Sequence, residues 1–279
     1  MPRIPRSVRE LLRARSDGGA ILPGVDPRST PGVEGRRDAE REVEDLAGRL
    51  NGLQERLWVE KTRSLLVVLQ AMDTGGKDGT VEHVFRAMNP QGIEVTAFKQ
   101  PTEEELRHDF LWRIEKALPP PGEVMIFVRS HYEDVLVVRV HQLVPEAVWS
   151  KRYDTINDWE RKVAEGGTTL VKFFLHISYE EQRERLLARV DEPDKRWKFN
   201  ERDIDERAFW ADYQAAYEDA VRRCSTDDAP WYVIPADRKW YRNWAVASVL
   251  AETLEEMDPR YPEPDLDISR LKKRLAPPR

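Results

Sequence analysis

The chain has 279 residues, enough for one large α/β domain with a full core, and its 34% charged and 40% hydrophobic residues are typical of a globular protein. Its net charge of −6 argues against a general nucleic-acid-coating protein, and no apolar run approaches the length of a membrane span. The single cysteine, Cys224, excludes an internal disulfide and favours a reducing, cytoplasmic environment. We therefore expect neither a nucleic acid nor a membrane as partner.

The two ends of the chain are predicted to lie outside the main domain. Residues 1–37 read as a basic arm followed by an extended connector, because arginines dominate the first fifteen positions and Gly, Pro, Asp and Arg dominate positions 16–37. The arm lacks the apolar core of a secretory signal, so we expect it to lie on the protein or on a partner subunit, with a transit peptide as the alternative. Residues 261–279 are rich in proline and charge and are predicted to form a surface tail. Residues 38–260 then form the main domain.

The elements between these ends alternate between helix and strand. Leucines at helical spacing predict an amphipathic helix over Asp38–Glu60. Short β-branched or aromatic runs predict the five strands Leu65–Leu69, Ile93–Phe98, Val124–Val128, Leu170–Ile177 and Trp231–Ile234. The helices predicted between and after them are Thr80–Met88, Thr102–Leu118, Tyr132–Val144, Tyr179–Val190, Asp205–Cys224 and Arg242–Glu256; capping boxes open the second and fourth of them. This alternation predicts a parallel sheet covered on both faces, with a site at the carboxyl ends of its strands.

The loop after the first predicted strand resembles a phosphate-binding loop. The segment reads AMDTGGKDGT over residues 71–80, close to the pattern G-x-x-x-x-G-K-[ST]. It departs from that pattern at Ala71, in the first glycine position, and at Asp78, in the position of a magnesium-binding hydroxyl. Backbone N–H groups and a helix N-terminus in such a loop attract phosphate. On the pattern alone, a tight surface turn with a solvated lysine is the alternative.

Two further segments carry candidate chemistry. Arg129, Glu133 and Asp134 directly follow the third predicted strand, where an arginine can bind phosphoryl oxygens and carboxylates can hold a metal. The alternative is a helix start capped by Ser130, and His131 is interpreted as structural. Residues 189–207 cluster cations around Trp197, as in a mobile lid, although a solvated helix–loop–helix would have the same composition.

Five ordered blocks of the sequence resemble the polyphosphate kinase 2 family, whose members move phosphoryl groups between inorganic polyphosphate and nucleotides. They are LLVVLQAMDTGGKDGT, NPQGIEV, PTEEELRHDFLWR, RSHYEDVLVVRVH and DEPDKRWKFNERD. The resemblance runs from about Leu53 to Tyr261, and the RSHYEDVL form is similar to the subgroup that phosphorylates both nucleoside mono- and diphosphates. It implies a P-loop kinase-like α/β/α fold of three layers, with a parallel five-stranded sheet, a helical lid at about residues 180–207, and a homodimer or homotetramer.

The resemblance also implies roles for individual residues. Asp73, Lys77 and Arg129 would be catalytic, and Asp73, Glu133 and Asp134 would hold Mg²⁺, with Mn²⁺ as an alternative cation. Phosphate or nucleotide would be bound by Gly75, Gly76, Lys77, Asp78, Gly79, Thr80 and Arg129, and by the channel or lid cations Arg113, Lys195 and Lys198.

One position departs from the family pattern. The residue directly before the Arg129–Ser130 pair is usually Asp or Asn in the family, whereas this chain has Val128, whose isopropyl group cannot bind magnesium or phosphate. An active but slower enzyme is therefore expected. The alternatives are an ATP-using nucleoside-monophosphate kinase and a polyphosphate- or nucleotide-binding protein weakened by Val128.

Overall fold

A parallel five-stranded sheet forms the centre of the computed structural model, which describes residues 7–15 and 19–275. Its strands are β1 (Ser64–Gln70), β2 (Ile93–Ala97), β3 (Val124–Val128), β4 (Thr168–His176) and β5 (Trp231–Pro235). They lie in the order β2-β3-β1-β4-β5, and every neighbouring pair is parallel. The predicted sheet is confirmed, and each predicted strand matches an observed one to within two residues at either end.

Burial explains why the central strands read as nearly continuous apolar runs. All seven residues of β1 are buried, because β3 and β4 pair with its two edges and helices cover both faces of the sheet. The edge strand β2 is different, with Glu94, Val95 and Ala97 exposed. The site must therefore be built on β1 and its two neighbours, which the core holds rigidly.

Eleven helices surround the sheet within the described residues. They are α1 (Val8–Leu12), α2 (Arg36–Glu60), α3 (Lys77–Val84), α4 (Trp112–Glu115), α5 (Val137–Val140), α6 (Glu146–Glu165), α7 (Tyr179–Asp191), α8 (Arg202–Glu206), α9 (Trp210–Cys224), α10 (Lys239–Met257) and α11 (Ile268–Leu275). Helices α2, α3 and α10 pack together in one group, and α5, α6 and α9 in another. Short 3-10 helices lie in several of the connections between these helices and the strands. Within the described part of the chain, no helix is long and apolar enough to cross a membrane.

Several predicted helices differ in extent from the observed ones, among them those predicted from Thr102 and from Tyr132. The capping box at Thr102 forms, since Thr102 N–H donates to Glu105 Oε2 at 2.7 Å and Glu105 N–H to Thr102 Oγ1 at 3.3 Å. It opens only a 3-10 turn, because His108 is extended and the Asp109 side chain accepts the Leu111 N–H at 2.9 Å and starts a new turn. The region predicted as one helix from Tyr132 likewise divides into a 3-10 turn, His131–Asp134, and the short α5.

The N-terminal segment lies on the protein itself, which is one of the two positions that the sequence predicts for it. In α1 the N–H groups of Val8 and Arg9 donate to the Glu252 carboxylate of α10 at 2.9 and 3.1 Å. Ala14 N–H then donates to Trp231 O of β5 at 2.8 Å. Of the predicted basic arm, residues 1–6 lie outside the described residues, as do 16–18 of the connector and 276–279 of the tail. Helix α11 of the tail buries none of its described side chains.

Candidate active site

The glycine loop joins the carboxyl end of β1 to the first turn of α3. That helix begins at Lys77, three residues before the predicted start. Gly76 has a φ of 104°, a left-handed conformation in which glycine is favoured, and its carbonyl accepts the Thr80 N–H and Thr80 Oγ1 at 2.9 and 3.0 Å. A Cβ on Gly75 would lie 2.4 Å from Ala71 Cβ, so the loop folds closely back on itself. The helix N-terminus therefore faces the loop, as binding of an anion requires.

The amine of Lys77 lies across this loop. Its Nζ donates to Ala71 O at 2.8 Å, and burial, with the nearby Arg129 guanidinium, lowers its pKa. Asp73 and Glu133 act on it in the opposite direction, which places both carboxylates near the amine. Lys77 is thus a loop-bound cation and not the solvated lysine of a surface turn.

Arg129 brings the end of β3 to the same point. Its Nη2 donates to Asp73 Oδ1 at 2.9 Å, and its backbone N–H donates to Leu69 O of β1 at 3.1 Å. Arg129 has a φ of 62°, in the left-handed region that side chains other than glycine seldom occupy. The structure therefore brings Asp73, Lys77 and Arg129 together where β1 and β3 end.

The three acids predicted to hold a metal are not brought together. Glu133 stays at the site, where it accepts from Gln70 Nε2 at 3.0 Å and raises the pKa of Arg129 against the effect of burial. Asp134 instead accepts from Arg152 Nη1 at 2.8 Å, and burial raises its pKa to about 6. Within residues 7–15 and 19–275, no three His, Cys, Asp or Glu side chains form a group that could hold a metal. Asp73 and Glu133 are the two predicted acids that remain near Lys77 and Arg129, and two carboxylates there would fit a divalent cation.

A buried network supports the turn that carries Glu133. The predicted cap is present, since Ser130 Oγ accepts the Tyr132 N–H at 3.2 Å. His131 is fully buried and its Nε2 lies 3.1 Å from Glu160 Oε1, which agrees with its interpretation as structural. Glu160 also forms an ion pair with the buried Lys172. Sequence analysis missed both partners, although Lys172 is a lone cation inside an apolar strand.

The predicted channel and lid cations contact protein groups that lie outside the glycine loop. Arg113 Nη1 donates to Lys99 O at 2.8 Å, and its guanidinium lies 5.3 Å from the centre of the Phe98 ring. Lys195 pairs with Glu192, and Lys198 lies 5.0 Å from the centre of the exposed Trp197 ring. The region predicted as the lid consists of α7, a 3-10 turn over Pro193–Lys198, and α8. The binding roles of these cations stay predictions.

Sequence analysis also missed three side chains around the loop. Gln182 Nε2 donates to Asp73 O at 3.1 Å, and Arg185 Nη1 donates to Thr74 O at 3.0 Å. Arg242 lies behind Gly76, so that a Cβ on that glycine would fall 2.0 Å from Arg242 Nη1. Gln182 and Arg185 could have been predicted from the sequence. Both lie in α7, which follows β4 at the edge of the sheet that carries the site.

A parallel sheet whose central strand ends in a lysine-bearing glycine loop, faced by an arginine from the next strand, defines a phosphate-binding α/β protein of the P-loop class. Residues 34–262 match the sequence profile of the family described as polyphosphate kinase 2 (PPK2). The chain belongs to that family, and its fold is the P-loop kinase-like α/β fold expected from the sequence.

Two named relatives and one solved structure match over most of their length. The chain is 53% identical over 260 residues to an AMP/ADP-polyphosphate phosphotransferase of Meiothermus ruber, covering 93% of this chain and 97% of the relative. It is 47% identical to an ADP-polyphosphate phosphotransferase of Rhodopseudomonas palustris, covering 77% and 78%. The crystal structure of polyphosphate kinase 2 from Arthrobacter aurescens superposes with a TM-score of 0.94 at 46% identity, covering 97% of each chain.

Proposed function

We propose that this protein transfers phosphoryl groups between inorganic polyphosphate and nucleotides, converting AMP to ADP and ADP to ATP. The observation that carries the proposal is the convergence of Asp73, Lys77 and Arg129 on one glycine loop, in a chain that matches relatives named for this activity over nearly its full length. Those names support polyphosphate over ATP as the donor. Membership of a phosphotransferase family also points to a need for a divalent cation.

The site can perform in-line transfer without a covalent intermediate. An oxygen of the nucleotide's terminal phosphate attacks the terminal phosphorus of polyphosphate, the bond to the bridging oxygen breaks, and polyphosphate leaves one unit shorter. Lys77, Arg129 and the first N–H groups of α3 neutralise the charge on the equatorial oxygens. Asp73, fixed by its bond to Arg129, orients the acceptor.

Asp73 and Glu133 are the residues that would hold the cation, for which we propose Mg²⁺, with Mn²⁺ able to replace it. When bound, the cation would supply positive charge that offsets the negative charge of the phosphate groups. We do not include Asp134 among these residues, because its carboxylate already accepts a hydrogen bond from Arg152.

The test incubates the purified protein with AMP or ADP, Mg²⁺ and polyphosphate, and repeats the assay with ATP as donor. We expect polyphosphate-dependent ADP and ATP formation, and a drop of about 100-fold or more in kcat for Asp73→Asn, since one preorganised polar group at the reacting centre is worth this much. Glu82→Gln, at an exposed position on α3, serves as the matched control. Product formed only with ATP would disprove the proposal.

The assembly and location of the protein are also proposed. We infer a homodimer or homotetramer in the cytoplasm, where Cys224 stays a free, buried thiol. Light scattering on the purified protein would measure the oligomer directly; a monomer at micromolar concentration would contradict it.

A further inference from the structure

A buried glutamine of α7 joins the phosphate loop to the segment after α8. Gln182 is 1% exposed, its Nε2 donates to Asp73 O at 3.1 Å, and its Oε1 accepts from Arg207 Nη1 at 2.8 Å. These two partners fix the orientation of the amide, because a carbonyl can only accept and a guanidinium can only donate. The three residues therefore form a hydrogen-bond relay that leads to the backbone of the proposed catalytic aspartate.

The loop backbone at the inner end of this relay is strained. Thr74, directly after Asp73, has a φ of 62°, in the left-handed region that residues other than glycine seldom occupy. Helix α7 donates to the carbonyls of both residues, since Gln182 donates to Asp73 O and Arg185 Nη1 donates to Thr74 O at 3.0 Å. A strained conformation persists only where surrounding contacts hold it. The direction of the Asp73 side chain thus depends on donors from α7.

Arg207 forms the outer end of the relay, in the 3-10 turn that joins α8 to α9. Its guanidinium lies 3.9 Å from the centre of the Tyr179 ring and donates to Tyr179 O at 3.3 Å. Within the described part of the chain it forms no ion pair, and the Gln182 carbonyl is the one side-chain oxygen that it contacts. Burial raises the pKa of Asp203 in α8, and so does Asp73, which places α8 near the loop. The relay therefore connects the segment beside the site to the loop within it.

We propose that Gln182 is a positioning residue, which holds Asp73 in the orientation for phosphoryl transfer while Arg207 occupies its carbonyl oxygen. This inference rests on the proposed function for the reaction and for the role of Asp73. The contacts of Gln182 are with protein groups, so its loss leaves Lys77, Arg129 and the first N–H groups of α3 free to bind phosphate. A misplacement of about 1 Å can cost about 100-fold in rate, so the relay acts on kcat and not on KM.

Substitutions of Gln182 test the positioning role through steady-state kinetics with polyphosphate, ADP and Mg²⁺. We expect Gln182→Leu, which has a similar length and no polar atoms, to lower kcat at least tenfold and to change both KM values by less than about twofold. Gln182→Glu keeps an acceptor for Arg207 but has no donor for Asp73 O, so its kcat should fall at least as far. An unchanged kcat in Gln182→Leu, or a raised KM with kcat unchanged, would overturn the inference.

Substitutions of Arg207 test whether the two side chains act as one relay. Arg207→Met should lower kcat several-fold, and Arg207→Lys, which keeps a donor for the Gln182 carbonyl, should restore most of that loss. The double variant Gln182→Leu/Arg207→Met should be no slower than Gln182→Leu alone, because the relay is already broken. Losses that multiply would mean that the two residues act independently, and would overturn the relay.

The controls separate this inference from folding defects and from the proposed function. Glu184→Gln changes an exposed residue of the same helix and should alter neither kcat nor KM, and circular dichroism with thermal unfolding checks that each variant is folded. Should Gln182→Leu fail to fold, the half-buried Arg207 still tests the relay through Arg207→Met and Arg207→Lys. An active wild type with full activity in the relay variants overturns the inference alone. A wild type without polyphosphate-dependent activity overturns the proposed function.

Discussion

At the scale of single residues, the site depends on backbone conformations that the sequence pattern does not reveal. Thr74 and Arg129 both have a φ of 62°, and Gly76 has a φ of 104°. Each left-handed residue other than glycine costs on the order of 1 kcal/mol or more, and such residues concentrate at functional sites. Here they turn the chain sharply at the ends of β1 and β3, and so aim Asp73 and Arg129 at each other.

Gly76→Ala should abolish most phosphoryl transfer. The new Cβ would lie 2.0 Å from Arg242 Nη1 at a φ of 104°, so the loop or the arginine must move. We expect kcat to fall at least tenfold and the free energy of unfolding to drop by about 1–2 kcal/mol. Steady-state kinetics and urea unfolding measure the two effects. Gly48→Ala is the control, because a Cβ there meets nothing within 4 Å inside α2 and should stabilise the protein by about 0.5–1 kcal/mol. Full activity in Gly76→Ala would contradict the packing described here.

Val128→Asn should increase the rate of transfer. Val128 is half-buried at the last position of β3, in register with Leu69 and Ala97 and directly before Arg129. The family resemblance implies Asp or Asn there, and an amide oxygen can accept a hydrogen bond where an isopropyl group cannot. We expect kcat to rise several-fold, with a lower Mg²⁺ requirement. Val128→Thr, close in shape, should change much less, and an unchanged rate in Val128→Asn would show that this position is not limiting.

At the scale of elements, strands were predicted more reliably than helices, for a physical reason. A strand buried on both faces is apolar along most of its length, so β1 and β4 were evident from composition. The helix predicted from Thr102 was wrong because one local contact, Asp109 to Leu111, interrupts it. Helix α6 was missed although Trp149, Tyr153 and Ile156 follow Pro145 at helical spacing, a signal that could have found it.

The candidate site was predictable only where neighbours in sequence define it. The loop with Asp73 and Lys77, and Arg129 after β3, could be located because parallel strands end at one edge. Arg242 and Glu160 could not be located from the sequence. They lie in α10 and α6, and the residues that they contact, Gly76 and His131, are more than twenty positions away in the chain. The contact of Asp134 with Arg152 could not be foreseen either, because Arg152 lies in α6, the helix that sequence analysis missed; the metal role of Asp134 stays a prediction.

Lys172→Met should destabilise the turn that carries Glu133. Lys172 Nζ donates to Tyr132 Oη and Cys224 O, each at 2.8 Å, and pairs with Glu160 inside the core. Removing the cation leaves the buried Glu160 carboxylate without its cationic partner. Breaking a buried ion pair in this way costs about 3–5 kcal/mol of the free energy of unfolding. The double variant Glu160→Gln/Lys172→Met should regain part of this free energy of unfolding, because neither charge then remains. Urea unfolding of both variants and the wild type measures the difference. A single variant within about 1 kcal/mol of wild type would mean that the network contributes little.

At the scale of the whole molecule, the core joins the chain from α1 to α10 into one folding unit. The N-terminal segment is fixed to α10 through Glu252 and to β5 through Trp231. The sheet links both helix groups, and the same buried cluster includes residues from Leu12 to Met257. Any group whose pKa differs between the folded and unfolded chain should therefore affect the stability of the entire protein.

Two buried histidines should make the protein less stable as the pH falls below about 6.5. Burial lowers the pKa of His131, although Glu160 opposes it, and burial likewise lowers the pKa of His176, which is opposed by Asp237 and Asp26. Because both pKa values are depressed in the folded state, the unfolded chain binds more protons just below pH 6.5. Stability is then fully present above the unfolded pKa and is lost as the pH falls toward the folded values, by up to about 1.4 kcal/mol per pH unit for each histidine. Urea unfolding between pH 7.5 and 5.5 measures this slope, which His176→Gln should roughly halve. Asp134, whose pKa burial raises to about 6, acts in the opposite direction in this window, so the measurement is repeated in Asp134→Asn. A flat profile in that variant would mean that both histidines become protonated in the fold without penalty.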